Sequence, residues 1–340
     1  MKTRALLLPV LAAGAMAGAL PAHAEIVLKV HHMLPPSSTA QTRLLGPWCA
    51  KIAAESAGEL KCQIYPSMQL GGMPTQLFDQ AKDGVADIVL TVPTYQAARF
   101  TVTEVFELPF MTSTAEKASR ALWNYAAKYA AEEYKGVRPL AFHTHEGAQI
   151  HTTKKQVRTM ADFAGLKLRA PSRLSTKLVA ALGSTPVPMP VPQVPESLAK
   201  GVIDGALLPW EVMPGLKLDE IVKYHTETEA SLPNIANTIF VLAMNPAKYE
   251  SLPPELKKVI DANSGAETSA WIGRIWDETK APNRKLAEAR NNAFYTVPAA
   301  EVQHWIKASE GVALEWVKEV TAKGYDGDKL LADAKAMLMQ

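Results

Sequence analysis

Arg169 stands at the end of the stretch Gly165-Leu-Lys-Leu-Arg-Ala-Pro-Ser-Arg173. Leu166 and Leu168 alternate with Lys167 and Arg169, the period of a half-buried strand, and Pro171 preorganises the first turn of a helix over Leu174 to Leu182. A planar guanidinium delivered beside helix-terminal N–H groups makes a receptor for a carboxylate or a phosphate. The competing role for the same residue is a structural ion pair with an Asp or Glu. Arg173, in the first helical turn, supplies a second cation if its side chain turns inward, although a residue at a helix start more commonly faces solvent.

The histidines are the other residues with binding chemistry: His31-His32, His143-Thr-His145 and His151. Imidazole is a common zinc ligand, yet no acidic or cysteine partner lies near them at helical ligand spacing. They are read instead as cleft contacts or as hydrogen-bonded structural residues. His32 is the preferred contact because it ends the first strand, where an α/β sheet presents its crevice. Tyr95, after Thr91-Val-Pro-Thr94, and Trp210, after Leu208-Pro209, also follow strands whose carboxyl ends face such a crevice. With Met189 and Val191 they offer it an apolar wall. The chain contains no G-x-S-x-G elbow, P-loop, H-E-x-x-H or dinucleotide fingerprint, so neither catalysis nor a cofactor is expected. The enzymatic alternative is a periplasmic metal-dependent enzyme built on the His cluster.

The elements that must position these residues begin after a secretory signal. Met1-Lys-Thr-Arg4, an apolar run and Ala22-His-Ala24 predict a cleaved segment over 1–24, a mature start at Glu25 and export to the periplasm. Loss of Lys2 and Arg4, with no acid in that segment, takes the formal charge from +2 to zero. A neutral chain argues against nucleic acid and against a polybasic membrane dock. The chain has 340 residues, 48% of them hydrophobic, which points to two lobes with ample core. Its two cysteines, Cys49 and Cys62, are expected to pair in an oxidising compartment and to contribute about 3 kcal/mol.

Strand, helix, strand, helix, strand over Ile26–Val92 is the doubly wound α/β pattern. The phrase Ala81-Lys-Asp-Gly-Val-Ala-Asp-Ile-Val-Leu90 returns as Ala199-Lys-Gly-Val-Ile-Asp-Gly-Ala-Leu-Leu208, which predicts two lobes on one plan. Val187 to Pro195, dense in proline, reads as a stiff extended crossing. Thr238 to Met244 reads as a strand returning to the first lobe. Leu256 to Phe294 reads as a long helix bent or interrupted at Pro282. Repeated crossing between lobes makes a hinge that opens and closes around a ligand.

Taken together, Leu28-Lys-Val-His, Tyr65-Pro-Ser-Met-Gln-Leu-Gly-Gly72, Asp83-Gly-Val-Ala-Asp87, Gly165-Leu-Lys-Leu-Arg-Ala-Pro171 and Gly201-Val-Ile-Asp-Gly205 resemble the solute receptors of tripartite ATP-independent periplasmic (TRAP) transporters. The resemblance implies a two-lobed α/β periplasmic-binding-protein fold, type II-like, with hinge strands and a long helix spanning both lobes. It implies that Arg169 grips a substrate carboxylate and that the closed receptor docks on a membrane permease. The expected lobes are 25–146 plus 235–274 and 147–234 plus 275–340, in a monomer. Gln149 stands where many members carry a second arginine, and Leu208 where they carry an asparagine. A single Arg suits a monocarboxylate with an apolar or aromatic body, or a 2-oxo or 2-hydroxy acid, because a second buried anion would lack a cation. Gln149 and His32 are expected to satisfy the carboxylate's neighbourhood, while Tyr95, Trp210 and Met189 shape the rest. A ligand-sensing subunit of a signalling system is a further reading compatible with the same features.

Overall fold

The computed structural model describes residues 25–340, so the expected signal segment lies outside the described residues. In chain order the strands are β1 (Ile26–His32), β2 (Leu60–Tyr65), β3 (Ile88–Thr91), β4 (Arg138–Thr144), β5 (Gln149–Thr152), β6 (Lys167–Ala170), β7 (Thr185–Pro188), β8 (Gly205–Leu208), β9 (Tyr224–Thr228), β10 (Ile239–Met244) and β11 (Ala293–Val297). They form two sheets, β2-β1-β3-β10-β4 and β7-β6-β8-β5-β9-β11. The central strands β3 and β8 are apolar runs buried throughout, as strands covered by helices on both faces must be.

The two sheets share one plan. In each, two parallel pairs lead to a single strand inserted antiparallel, β10 in the first and β5 in the second. The repeated phrase marks equivalent corners of that plan. Asp87 Oδ2 accepts the Lys29 N–H at 2.7 Å in the first lobe, and Asp204 Oδ2 accepts the Lys167 N–H at 2.9 Å in the second. Each Asp also returns its own N–H to that lysine's carbonyl. A strand-edge aspartate thus ties the incoming strand to its neighbour twice, which explains why the phrase recurs.

The chain crosses between sheets from β4 to β5 and from β9 to β10. The helix Ala266–Ala289 bridges them a third time. It packs against the helix Ala115–Tyr129 so closely that a Cβ at Gly273 would meet the Ala115 carbonyl oxygen at 2.3 Å. Farther along, Asn283 Nδ2 donates to the Trp210 carbonyl at 3.3 Å and Arg284 Nε pairs with Glu227 at 2.8 Å, both in the second lobe. One long helix therefore spans both lobes.

Several local expectations are corrected. The helical stretch from Leu256 breaks at Asn263–Gly265, where Gly265 has φ 97° and its N–H turns to the Leu140 carbonyl. It does not break at Pro282, which lies inside the helix Ala266–Ala289, and Phe294 belongs to β11. The segment Val187 to Pro195 is no inter-lobe crossing. It starts as edge strand β7, where proline is tolerated because no donor is needed on the open side, and then turns into the helix Val194–Ala199. The chain after 275 does not stay with the second lobe. The helix Gly327–Leu338 lies on the helix Ala115–Tyr129 of the first, where Asp333 accepts from Tyr129 and Lys128. Cys49 and Cys62 are joined, with Cα atoms 5.7 Å apart, tying the helix Gly46–Glu55 to β2.

Candidate functional site

The carboxyl ends of β1, β3, β6 and β8 converge between the lobes around a partly enclosed cavity with mainly apolar walls. Met33, Leu34, Tyr95 and Phe240 line it from the first lobe, and Arg169, Val191, Leu207, Leu208 and Val212 from the second. His145, Asn237 and Thr238 reach it from the two crossings. Among the expected contacts, the structure brings Arg169, Tyr95, Val191 and Leu208 together here.

Arg169 is 3% exposed, and its guanidinium is held on three sides. Nε donates to the Met189 carbonyl at 3.0 Å, Nη1 to the Leu207 carbonyl at 3.0 Å, and Nη2 to the Tyr95 hydroxyl at 3.4 Å. A guanidinium has five N–H donors, so one remains on each Nη. Burial pulls its pKa below the ordinary arginine value, opposed by Tyr95 and Glu107. Among the described residues no carboxylate forms an ion pair with Arg169. Glu107, whose carboxyl burial pushes up to about 7, accepts the Thr94 hydroxyl and the Ile239 N–H on Oε1 and acts on Arg169 through its field without a hydrogen bond to it. The structural ion pair weighed for Arg169 is thus absent among the described residues. The Tyr95 hydroxyl also accepts the Val191 N–H at 3.1 Å, which leaves its own proton to donate.

Other expected contacts sit elsewhere. Arg173 supplies no second cation to the cavity. Its side chain crosses to Glu104 of the first lobe, with Nε 2.9 Å from Oε2, and also pairs with Glu319. A guanidinium flanked by two carboxylates has no reason to face an apolar cleft. His32 bonds Gln41 at 3.0 Å and accepts the Leu34 N–H, so Met33 and Leu34, just beyond the strand end, reach the cavity in its place. Gln149, the first residue of β5, does not line the cavity, whereas Ala148 just before the strand does. Met189 contributes its carbonyl to Arg169 rather than its side chain to the wall. Trp210 is fully buried inside the second lobe, edge-on to His151 with Nε1–H donated to Glu227 at 3.0 Å.

The histidines are dispersed. His143 stacks on Phe240 with ring centroids 4.6 Å apart and meets Trp276 edge-on. His151 Nδ1 lies 2.6 Å from His225 Nδ1, and its Nε2 bonds the Leu208 carbonyl. Among the described residues no three His, Cys, Asp or Glu side chains converge as a metal site, and no helix is long and apolar enough to cross a membrane. Two acids that sequence reasoning passed over meet behind the cavity at the hinge. The Glu211 N–H donates to Glu146 Oε1 at 2.9 Å, while Glu146 Oε2 and Glu211 Oε1 have no hydrogen-bond partner among the described residues. Burial raises their carboxyls to about 7 and about 8, and mutual repulsion adds to the second. The wall residues Asn237, Thr238 and Phe240 were also missed. Their one visible signal was the polar pair Asn237-Thr238 entering the apolar strand β10.

The profile of DctP, bacterial extracellular solute-binding protein family 7, matches residues 30–319. A TRAP solute-binding protein from Rhodoferax ferrireducens T118, in complex with copurified benzoate, is 44% identical with a TM-score of 0.91, covering 92% of this chain and 98% of that one. A marine metagenome TRAP solute-binding protein specific for aromatic acid ligands, in complex with 3-hydroxybenzoate, is 43% identical with a TM-score of 0.91, covering 93% and 98%. A TRAP periplasmic solute-binding protein from Bordetella bronchiseptica, with bound (R)- and (S)-mandelate, is 29% identical with a TM-score of 0.85, covering 93% and 99%. The chain therefore belongs to bacterial extracellular solute-binding protein family 7, as a periplasmic solute receptor of the TRAP type.

Proposed function

We propose that this receptor takes an aromatic or otherwise apolar monocarboxylate, including 2-hydroxy acids, in the cavity between the lobes. The observation that carries the reading is the buried Arg169 guanidinium, which has two N–H donors to spare and no carboxylate paired with it among the described residues. A buried cation without a counter-ion is strongly unfavourable, and a ligand carboxylate supplies the missing charge. Tyr95 donates its free proton to the same carboxylate. Met33, Leu34, Val191, Leu208 and Phe240 face the ligand's body with apolar surface. The ligands named for the three similar structures, benzoate, 3-hydroxybenzoate and mandelate, are all aromatic monocarboxylates, and support this class.

The lobes rotate about the two crossings near 145–148 and 229–238, with the helix Ala266–Ala289 as a shared brace. The receptor performs no chemistry on its ligand and releases it unchanged. Isothermal titration with benzoate, 3-hydroxybenzoate, mandelate and succinate tests the class. The aromatic acids are expected to bind tightly and succinate at least 100-fold more weakly, since its second carboxylate meets no cation. Succinate binding tighter than every aromatic acid would overturn the reading.

A further inference from the structure

We infer that His145 is a second recognition residue, whose Nε2–H donates to a carboxylate oxygen of the ligand held by Arg169. The inference rests on the reading that the cavity takes a monocarboxylate. His145 lines the cavity, and its Nε2 is the ring nitrogen left without a partner among the described residues. The other ring nitrogen is fixed, because Nδ1 accepts the Gly147 N–H at 3.0 Å. A backbone N–H only donates, so Nδ1 carries no proton and Nε2 carries the one hydrogen of the neutral ring.

The residue itself is clamped in place. Its N–H donates to Asn237 Oδ1 at 3.2 Å, and Asn237 Nδ2 donates back to its carbonyl at 3.1 Å. The same Nδ2 reaches the Thr112 hydroxyl at 2.8 Å, so Asn237 is locked in its turn. This clamp joins the first crossing to the second, and a ligand that engages His145 therefore contacts the hinge itself.

Burial, reinforced by neighbouring positive charge, decides which form His145 takes. The charged or titratable groups that act on it are Arg169 and His143, and both oppose a second positive charge. Burial acts in the same direction and more strongly, bringing its pKa down to about 3. A neutral donor thus stands near Arg169 without adding like-charge repulsion. Among the described residues the cavity then offers several N–H and O–H donors and one full positive charge, which matches a single carboxylate.

The test is calorimetric titration of the full mature chain with benzoate. His145→Phe keeps a flat ring and removes the donor, and it is expected to weaken binding about 10- to 100-fold, the effect of losing one hydrogen bond to a charged group. His145→Gln restores an N–H donor and is expected to recover most of that loss. Wild-type protein titrated at pH 5.5, where burial keeps Glu107, Glu146 and Glu211 protonated, in buffers of different ionisation enthalpy is expected to give equal heats, because no proton is taken up. Unchanged affinity in the Phe variant, no recovery in the Gln variant, or uptake of about one proton per ligand would each overturn the inference. The proton measurement stands even if a variant fails to fold. Wild-type protein that binds no aromatic acid at all would instead overturn the ligand-class reading beneath it.

Discussion

The Tyr95 hydroxyl, carried by the first lobe, accepts a hydrogen bond from Arg169 Nη2 of the second lobe at 3.4 Å. The two residues lie 74 positions apart in the chain, and they meet because strands β3 and β6 both end at the cleft. In the closed form the contact fixes the guanidinium against the first lobe, which limits its freedom around a bound carboxylate.

Replacing Arg169 by Ala is expected to abolish aromatic-acid binding while leaving the protein folded, a loss of about 3 kcal/mol or more. Lysine at this position rescues only partly, since a point charge cannot match three fixed bonds and a bidentate carboxylate. Calorimetry gives the affinities and circular dichroism the fold. Unchanged affinity in the Ala variant would show that the guanidinium is structural.

The Arg173–Glu104 pair joins the second-lobe helix Arg173–Ala181 to the first-lobe turn Thr103–Glu107. Glu104→Gln is expected to loosen the closed form, with a larger radius of gyration without ligand by small-angle scattering. Benzoate affinity should fall by roughly 10-fold, about 1.4 kcal/mol. A wild-type scattering curve and wild-type affinity would mean that the pair forms equally in the open receptor.

The hinge acids give the stability curve a direction on the alkaline side. Glu146 and Glu211 have folded-state pKa values of about 7 and about 8, above the ordinary 4.5. The folded state therefore holds their protons longer than the unfolded chain does. The stabilisation is complete below about pH 4.5 and is lost as pH rises through about 7 to 8. Glu211→Gln, which stays neutral, should raise Tm relative to wild type at pH 8.5 by roughly 2 °C or more and have little effect at pH 4.5. Parallel Tm profiles for the two proteins across that range would refute the assignment.

Reduction of the Cys49–Cys62 bridge should lower stability by roughly 3 kcal/mol, the loop-closure effect for a bridge spanning a short segment. Ligand affinity should hold, because the bridge ties a helix to β2, and neither cysteine lines the cavity. Denaturant titration with and without reductant measures the first, and calorimetry the second.

The sequence by itself determined what is local. Alternation in Leu166–Arg169 with Pro171 behind it placed Arg169 at a strand end, and strand ends in α/β sheets face the crevice. The twin phrases ending at Leu90 and Leu208 marked equivalent corners of two sheets, since one aspartate performs the same double tie in each. Only the tertiary structure decided where side chains turn once the strands have ended. Arg173 answers to Glu104, 69 residues earlier, and Trp210 to Glu227 and the paired rings of His151 and His225. Nothing in the sequence near Arg173 or Trp210 encodes those partners. The same holds for His32 and His145, two histidines each placed just where a strand leads to the cleft. Gln41 and the Leu34 N–H occupy one ring, while Gly147 and Asn237 hold the other with Nε2 free, and that choice depends on how the loops beyond the strands pack.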